Sequence, residues 1–382
     1  MAIKHDNKNI MYMAEEKETI QIEPCPEMQE NPTARYRLHL GLVGNYPDSE
    51  ETRFLLTPEA CGLLTSAEMR ICMEEGAGVD IDFSDDKYSE YGVTITDRGT
   101  ALAQDIVLSY SPLNAKDVAR MKEGAVLLCT MDSSLFNKDT MNVLLERKIT
   151  LCCLTNLVSY NGEAVFADII EEIDGRCAIL YAQENLSYLG GGKGVLLGGI
   201  AGVNPCEVLL IGDGRNIISA AMAAMTRGAI VTLLNNDISA LQYARSLCSM
   251  TGNRLLTLAI HPRTLLNKIR TADVIIMGET TRPFEMPRSL TSAMKDNAYV
   301  LDLRETHPSV TVPRSVAMAV SNILVNLLND VALLEGFDRI IATTEGVQNA
   351  IITYKGQLVD KLAASYLGLP SVDLSVMIAH TN

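Results

Sequence analysis

Glu207-Val208-Leu209-Leu210-Ile211-Gly212-Asp213-Gly214-Arg215-Asn216-Ile217 is the stretch on which the fold turns. Its apolar start is short and rich in branched side chains, as a buried strand requires. A Gly-x-Gly turn follows, and then an Ala- and Met-rich helical pattern over 216–227. In such strand–turn–helix units the first glycine makes the tight turn and the second lets backbone amides approach a pyrophosphate. Gly212 and Gly214 fit those roles and are candidate cofactor contacts. Ile217 stands where a third glycine would let helix and strand close, so its branched side chain predicts a helix held away from the strand. The next strand, 229–234, ends at Asn235, where a carboxylate would grip ribose hydroxyls. Asn235 can still donate and accept there, whereas Asp213 sets a negative charge beside the pyrophosphate position.

Outward from this unit the alternation continues. Strand patterns at 255–259, 272–277 and 299–303 are separated by helical ones, including 237–250, which completes a doubly wound parallel sheet. Upstream, strand-like runs at 38–43, 105–110, 125–130 and 150–154 repeat the logic. Thr57-Pro58-Glu59 reads as a helix start, with an amphipathic helix expected over 60–75. A long apolar helix is expected over 314–334 and a last one over 361–366. The fold class is therefore α/β, with two Rossmann-like domains. Residues 1–36 form a polar arm with at most one edge strand near 18–22. Residues 37–160 with 312–382 form one discontinuous, substrate-type domain, and 161–311 form the dinucleotide-binding type.

Composition narrows the function classes. The chain has 382 residues, a net charge of −15 and a pI near 4.8, so no basic field favours nucleic acid. No uninterrupted apolar run has membrane-spanning length, and no apolar leader opens the chain, so a cytoplasmic protein is expected. Nine cysteines without ligand spacing and five scattered histidines predict reduced thiols and no metal centre. Glu171-Glu172 and Asp174 look like a metal cluster, but acids at a helix start also complement its dipole.

Several stretches, in order, resemble the alanine dehydrogenase and nicotinamide nucleotide transhydrogenase N-terminal family. They are Glu51-Thr52-Arg53-Phe54-Leu55-Leu56-Thr57-Pro58, Glu75-Gly76-Ala77-Gly78 with Phe83-Ser84-Asp85, and Lys193-Gly194-Val195-Leu196-Leu197-Gly198-Gly199-Ile200. Val312-Pro313-Arg314-Ser315 and Tyr354-Lys355-Gly356-Gln357-Leu358 complete the set. The resemblance implies NAD or NADP in the middle domain, an amino or keto acid in the cleft between domains, and a homo-oligomer. It aligns Arg53 with the arginine that holds the substrate carboxylate. It aligns Ser111 with the family's catalytic lysine, and Asp132 with its catalytic histidine. Thr306 falls on an acid, Glu171 on a serine near the cofactor, and only Leu303–Thr311 remains of a long active-site segment.

Serine supplies neither cation nor proton shuttle, and a carboxylate titrates far from an imidazole. The expectation is a degenerate family member that keeps, at most, weak nucleotide or carboxylate binding. Two alternatives remain: an active NAD(P)-dependent amino-acid dehydrogenase with altered substrate, in which Asp132 is the base, and a purely structural or interaction protein. His307 is the one histidine expected near the cleft.

Overall fold

The computed structural model describes residues 38–130, 137–248, 255–281 and 284–379. The arm and its expected edge strand lie outside these residues. Two sheets organise the chain. The first contains β1 (His39–Val43), β2 (Arg70–Glu74), β3 (Thr94–Thr96), β4 (Ile106–Ser109), β5 (Val126–Cys129) and β6 (Thr150–Cys153), joined by β12 (Ile351–Tyr354) and β13 (Gln357–Leu358). Its order is β13-β12-β6-β5-β4-β1-β2-β3. Strands β1 to β6 are parallel, and β12 adds antiparallel to β6. The second sheet, β11-β10-β7-β8-β9, is wholly parallel. It is built from β7 (Glu207–Ile211), β8 (Ile230–Asn235), β9 (Leu255–Ala259), β10 (Val274–Met277) and β11 (Tyr299–Asp302).

Each sheet reverses its winding once, between β1 and β4 and between β7 and β10. Ligand crevices open at such switch points, at the carboxyl ends of the strands. Every residue of β4, β5, β6 and β10 is buried, because apolar clusters cover both faces of each sheet. The return of 351–358 gives the first sheet strands from both ends of the sequence.

The helix expected over 60–75 divides. Thr57 caps a helix at Pro58–Ser66, its hydroxyl accepting from the Ala60 amide at 3.3 Å, but Glu68 turns left-handed at φ 66° and β2 follows. Met69, Ile71 and Met73 are buried at a period of two, which a helix cannot place on one face. The pattern is a strand's; the apolar run simply crosses the break. Helix Pro313–Leu333 is long and apolar enough to cross a membrane by length and composition, contrary to the expectation that no run has that length. Val316, Val320, Leu324, Leu328 and Val331 instead form its buried stripe in the first sheet's core.

Helix Val165–Leu186 links the two sheets' surroundings, packing against helix Arg215–Thr226 of the second and helix Pro313–Leu333 beside the first. Gly175 sets the closeness of the former contact. A Cβ there would lie 2.0 Å from the Asn216 carbonyl oxygen and 2.9 Å from the Ala220 nitrogen.

Candidate functional site

The glycine loop lies where the sequence reading puts it, between β7 and helix Arg215–Thr226, at the second sheet's switch point. Gly212 takes φ +147°, open to glycine, and a Cβ on it would meet the Glu279 carbonyl oxygen at 2.8 Å. Ile217 does not hold the helix away. It is fully buried, and its Cγ1 would lie 2.6 Å from a Cβ on Gly278 at the end of β10. The space denied by the missing third glycine is supplied by a glycine on the neighbouring strand. Gly278→Ala should therefore cost about 1–3 kcal/mol by overpacking. Ile217→Ala, which removes the Cγ1 that the new methyl meets, should cost less in Gly278→Ala than in the parent chain by urea unfolding, whereas strictly additive effects would show that the two residues do not meet.

The anion seat at the helix head is already occupied. The Arg215 amide donates to Glu171 Oε2 at 2.9 Å, and the Asn216 amide also bonds this carboxylate. The Ile217 amide donates to Asn216 Oδ1 at 2.7 Å. Arg215 pairs with Asp168 across the same helix contact at 2.7 Å. Burial pushes the Glu171 carboxyl up, the two amides pull it down, and nearby Asp168 and Asp174 push it up again, for a net rise. Glu171 was expected to complement the start of its own helix. It sits well inside Val165–Leu186 and complements the next helix's dipole instead.

Asp213 is tied down by Thr281, whose amide and hydroxyl donate to Oδ2 at 2.9 and 2.5 Å. Burial raises this carboxyl, but those bonds outweigh it and hold it below the ordinary carboxylate range. At the ribose end, Asn235 is buried and its Oδ1 accepts from the Asp237 amide at 2.7 Å. Its Nδ2, also buried, faces the Asp213 carboxylate and helps hold it ionised, makes no closer hydrogen bond among the described residues, and borders a cavity of about 230 Å³ that includes Ile260 and Thr280. The residues thus fit a dinucleotide in part: an amide donor held only loosely by Asp213 stands at one end, while a carboxylate fills the phosphate position at the other.

Around the first sheet's crevice, Arg53 is buried and fully engaged. Glu51 grips it with two oxygens, at 2.7 Å from Nε and 2.6 Å from Nη2, and Nη1 donates to Ser309 Oγ at 3.0 Å. The guanidinium carbon lies 4.6 Å from the centroid of Tyr110, a cation–π distance. Burial opposes the Arg53 charge, but Glu51 more than offsets it and holds the group above its ordinary value. Burial pushes the Tyr110 phenol up, against the pull of Arg53. Ser111 stands just past β4, its hydroxyl donating to Asn45 Oδ1 at 3.2 Å, and Asn45 Nδ2 reaches the Arg53 carbonyl at 2.9 Å. Asp132 lies outside the described residues. Thr306 is spent on the Asp302 carbonyl at 2.6 Å, and Asp302 binds Arg304 through both oxygens.

From sequence, Asp174 reads only as an acid suited to a helix start or a metal cluster, with no partner assigned to it. It is buried, accepts from the Ser309 amide at 2.7 Å and lies 3.6 Å from His307 Nδ1. One helical turn separates it from Glu171, so a single face of Val165–Leu186 serves the arginine layer with one carboxylate and the glycine loop with the other. The acids were visible, but nothing local told which neighbour each would meet.

Two doubly wound sheets, a glycine loop at one switch point and a buried arginine beside the other define a two-domain α/β protein of dinucleotide-binding type. The chain belongs to the alanine dehydrogenase/PNT family: models of its N-terminal and C-terminal domains match residues 47–167 and 178–304. It is 29% identical over 231 residues to an alanine dehydrogenase of Methanococcus maripaludis, covering 60% of this chain and 61% of that protein. To alanine dehydrogenase 2 of Staphylococcus aureus it is 26% identical over 260 residues, covering 67% and 69%. The chain thus spans less than two thirds of the length of the first of these relatives. Among solved structures, an L-alanine dehydrogenase superposes with a TM-score of 0.75 at 20% identity, over 87% of this chain and 99% of that one. A transhydrogenase from Sinorhizobium meliloti gives 0.69 at 16%, over 83% and 100%. These likenesses bear out the two-domain Rossmann-like fold.

Proposed function

We propose that this chain is a degenerate alanine dehydrogenase-like protein that does not transfer hydride, and that its cleft retains weak binding for a nucleotide, with NAD or NADP the class to try first. The observation that carries this reading is Ser111. It stands at the carboxyl end of β4, beside Asn45 and the Arg53 layer, where the family resemblance calls for a lysine. A hydroxyl there has no positive charge to polarise a keto acid and does not titrate near neutral pH, so it is a poor general acid or base. Arg53, engaged by Glu51, Ser309 and Tyr110, serves in this reading as a structural cation rather than a carboxylate receptor. Homo-oligomer formation belongs to the same proposal, supported by the exposed Ile200 and Val203, which line one surface hollow with the exposed Leu256 of edge strand β9.

The test is a steady-state assay in both directions, L-alanine with NAD or NADP, and pyruvate and ammonium with NADH or NADPH. The expected rate equals the protein-free blank. Alanine-dependent nicotinamide reduction that scales with protein concentration would overturn the proposal.

A further inference from the structure

The phosphate seat of this Rossmann sheet differs from an open helix end in one respect: a carboxylate of the chain already lies in it. Amides at a helix head, with the aligned peptide dipoles behind them, attract one compact anion. Here the Arg215 and Asn216 amides bond Glu171, and the Ile217 amide bonds Asn216 Oδ1. Gly175 brings the two helices close enough for this reach. At the far end of the same crevice the buried Asn235 Nδ2 has only the Asp213 carboxylate to face and makes no close hydrogen bond among the described residues, against the cavity of about 230 Å³. The phosphate end of the crevice is thus already occupied by a carboxylate, while the other end offers a neutral polar group.

We propose that Glu171 is a built-in occupant of the phosphate seat, which makes this crevice favour an unphosphorylated nucleoside over a nucleoside diphosphate. The inference rests on the reading that the crevice still binds nucleotides. A diphosphate arriving at the loop must displace Glu171 from the amides or accept like-charge contact with it and with Asp213, Asp168 and Asp174. Arg215 does not compensate, since Asp168 holds its guanidinium. Burial and the neighbouring acids raise the Glu171 carboxyl, so the seat is held by a group under electrostatic pressure. A nucleoside meets none of this at the Asn235 end.

Calorimetric titration with adenosine and with ADP tests it, on the full chain and its Glu171→Ser and Glu171→Gln variants. The unmodified chain should bind adenosine more tightly than ADP. Glu171→Ser should tighten ADP by roughly tenfold or more, the scale of a charge-assisted hydrogen bond regained, and leave adenosine within about twofold. Glu171→Gln keeps the side-chain volume and guards against a packing defect; it should tighten ADP too. Amide exchange at Arg215 and Asn216 should be slow in the unmodified chain and faster in Glu171→Ser without ligand. ADP affinity unchanged or weakened in both folded variants would overturn the proposal, as would an unmodified chain that prefers ADP, or no binding of either ligand by any form. The last of those outcomes would also remove the nucleotide-binding reading, whereas the others leave that reading standing and overturn the role of Glu171 alone. Alanine-dependent turnover by the unmodified chain would sink the functional reading while leaving the ADP comparison intact.

Discussion

Arg53→Ala should unfold far more easily than the parent chain, by about 3–5 kcal/mol in denaturant titration. The physical reason is the pairing geometry. Glu51 meets the guanidinium through both oxygens at 2.7 and 2.6 Å, and the side chains are only 9% and 15% exposed. Removing the cation leaves a carboxylate mostly out of water with no counter-charge, and leaves Ser309 Oγ without its donor. Tyr110 loses its stacked cation as well. Replacing both members of the pair, Glu51→Gln with Arg53→Met, should recover a large part of the loss, because no charge is then stranded. Pyruvate should leave the melting temperature of the parent chain unchanged. An arginine kept open for a ligand carboxylate behaves oppositely: its removal costs little stability, and a keto acid raises the melting temperature. Melting of Arg53→Ala within a degree or two of the parent would therefore contradict the structural role.

The second large effect belongs to Gly175. Alanine there must fit a Cβ that would sit 2.0 Å from the Asn216 carbonyl oxygen and 2.8 Å from Ser219 Cβ. The nearest of these atoms is backbone, so relief requires the two helices to separate. A loss of about 3 kcal/mol is expected, at the upper end for overpacking. The readout that distinguishes this from a generic core defect is local: separation withdraws Glu171 from the Arg215 amide, whose exchange should quicken more than that of β7 or β10. Gly175→Ala with parent-like stability and parent-like exchange at Arg215 would show that the helices tolerate a wider gap.

The sequence made the architecture readable because its main signals are local. Apolar runs such as 207–211 and 255–259 became the strands that the pattern announced, and Thr57-Pro58 capped a helix as its chemistry requires. Where the reading failed, two elements shared one apolar stretch. Helix Pro58–Ser66 passes into β2 within a few residues, and the buried Met69, Ile71 and Met73 extend what looks like a helical face. The failure at Ile217 has a different cause. Its partner, Gly278, is sixty-one residues away and contributes by lacking a side chain, which no periodicity records.

The candidate site divides in the same way. Gly212, Gly214 and Asn235 stand at the strand ends where the sequence sets them, and Ser111, named by resemblance, lies just past β4. What each one bonds depends on approach between elements. That Glu51 would close on Arg53 rather than face solvent, and that Glu171 would reach across a glycine to another helix, are tertiary facts. They matter most for function, because each sets a carboxylate of the chain against a group that would otherwise attract an anion.

The most direct measurement is a single-turnover experiment: NAD mixed with L-alanine and a stoichiometric excess of the protein, with reduced nicotinamide followed by absorbance for hours. Stoichiometric protein reveals even one slow hydride transfer that steady-state rates would hide. The expected trace is flat, indistinguishable from one without protein, because no lysine stands at Ser111 and Arg53 is bound by Glu51. A rise toward one equivalent of reduced nicotinamide per NAD, dependent on L-alanine, would contradict the degenerate reading and show that the cleft still performs the family's chemistry with other groups.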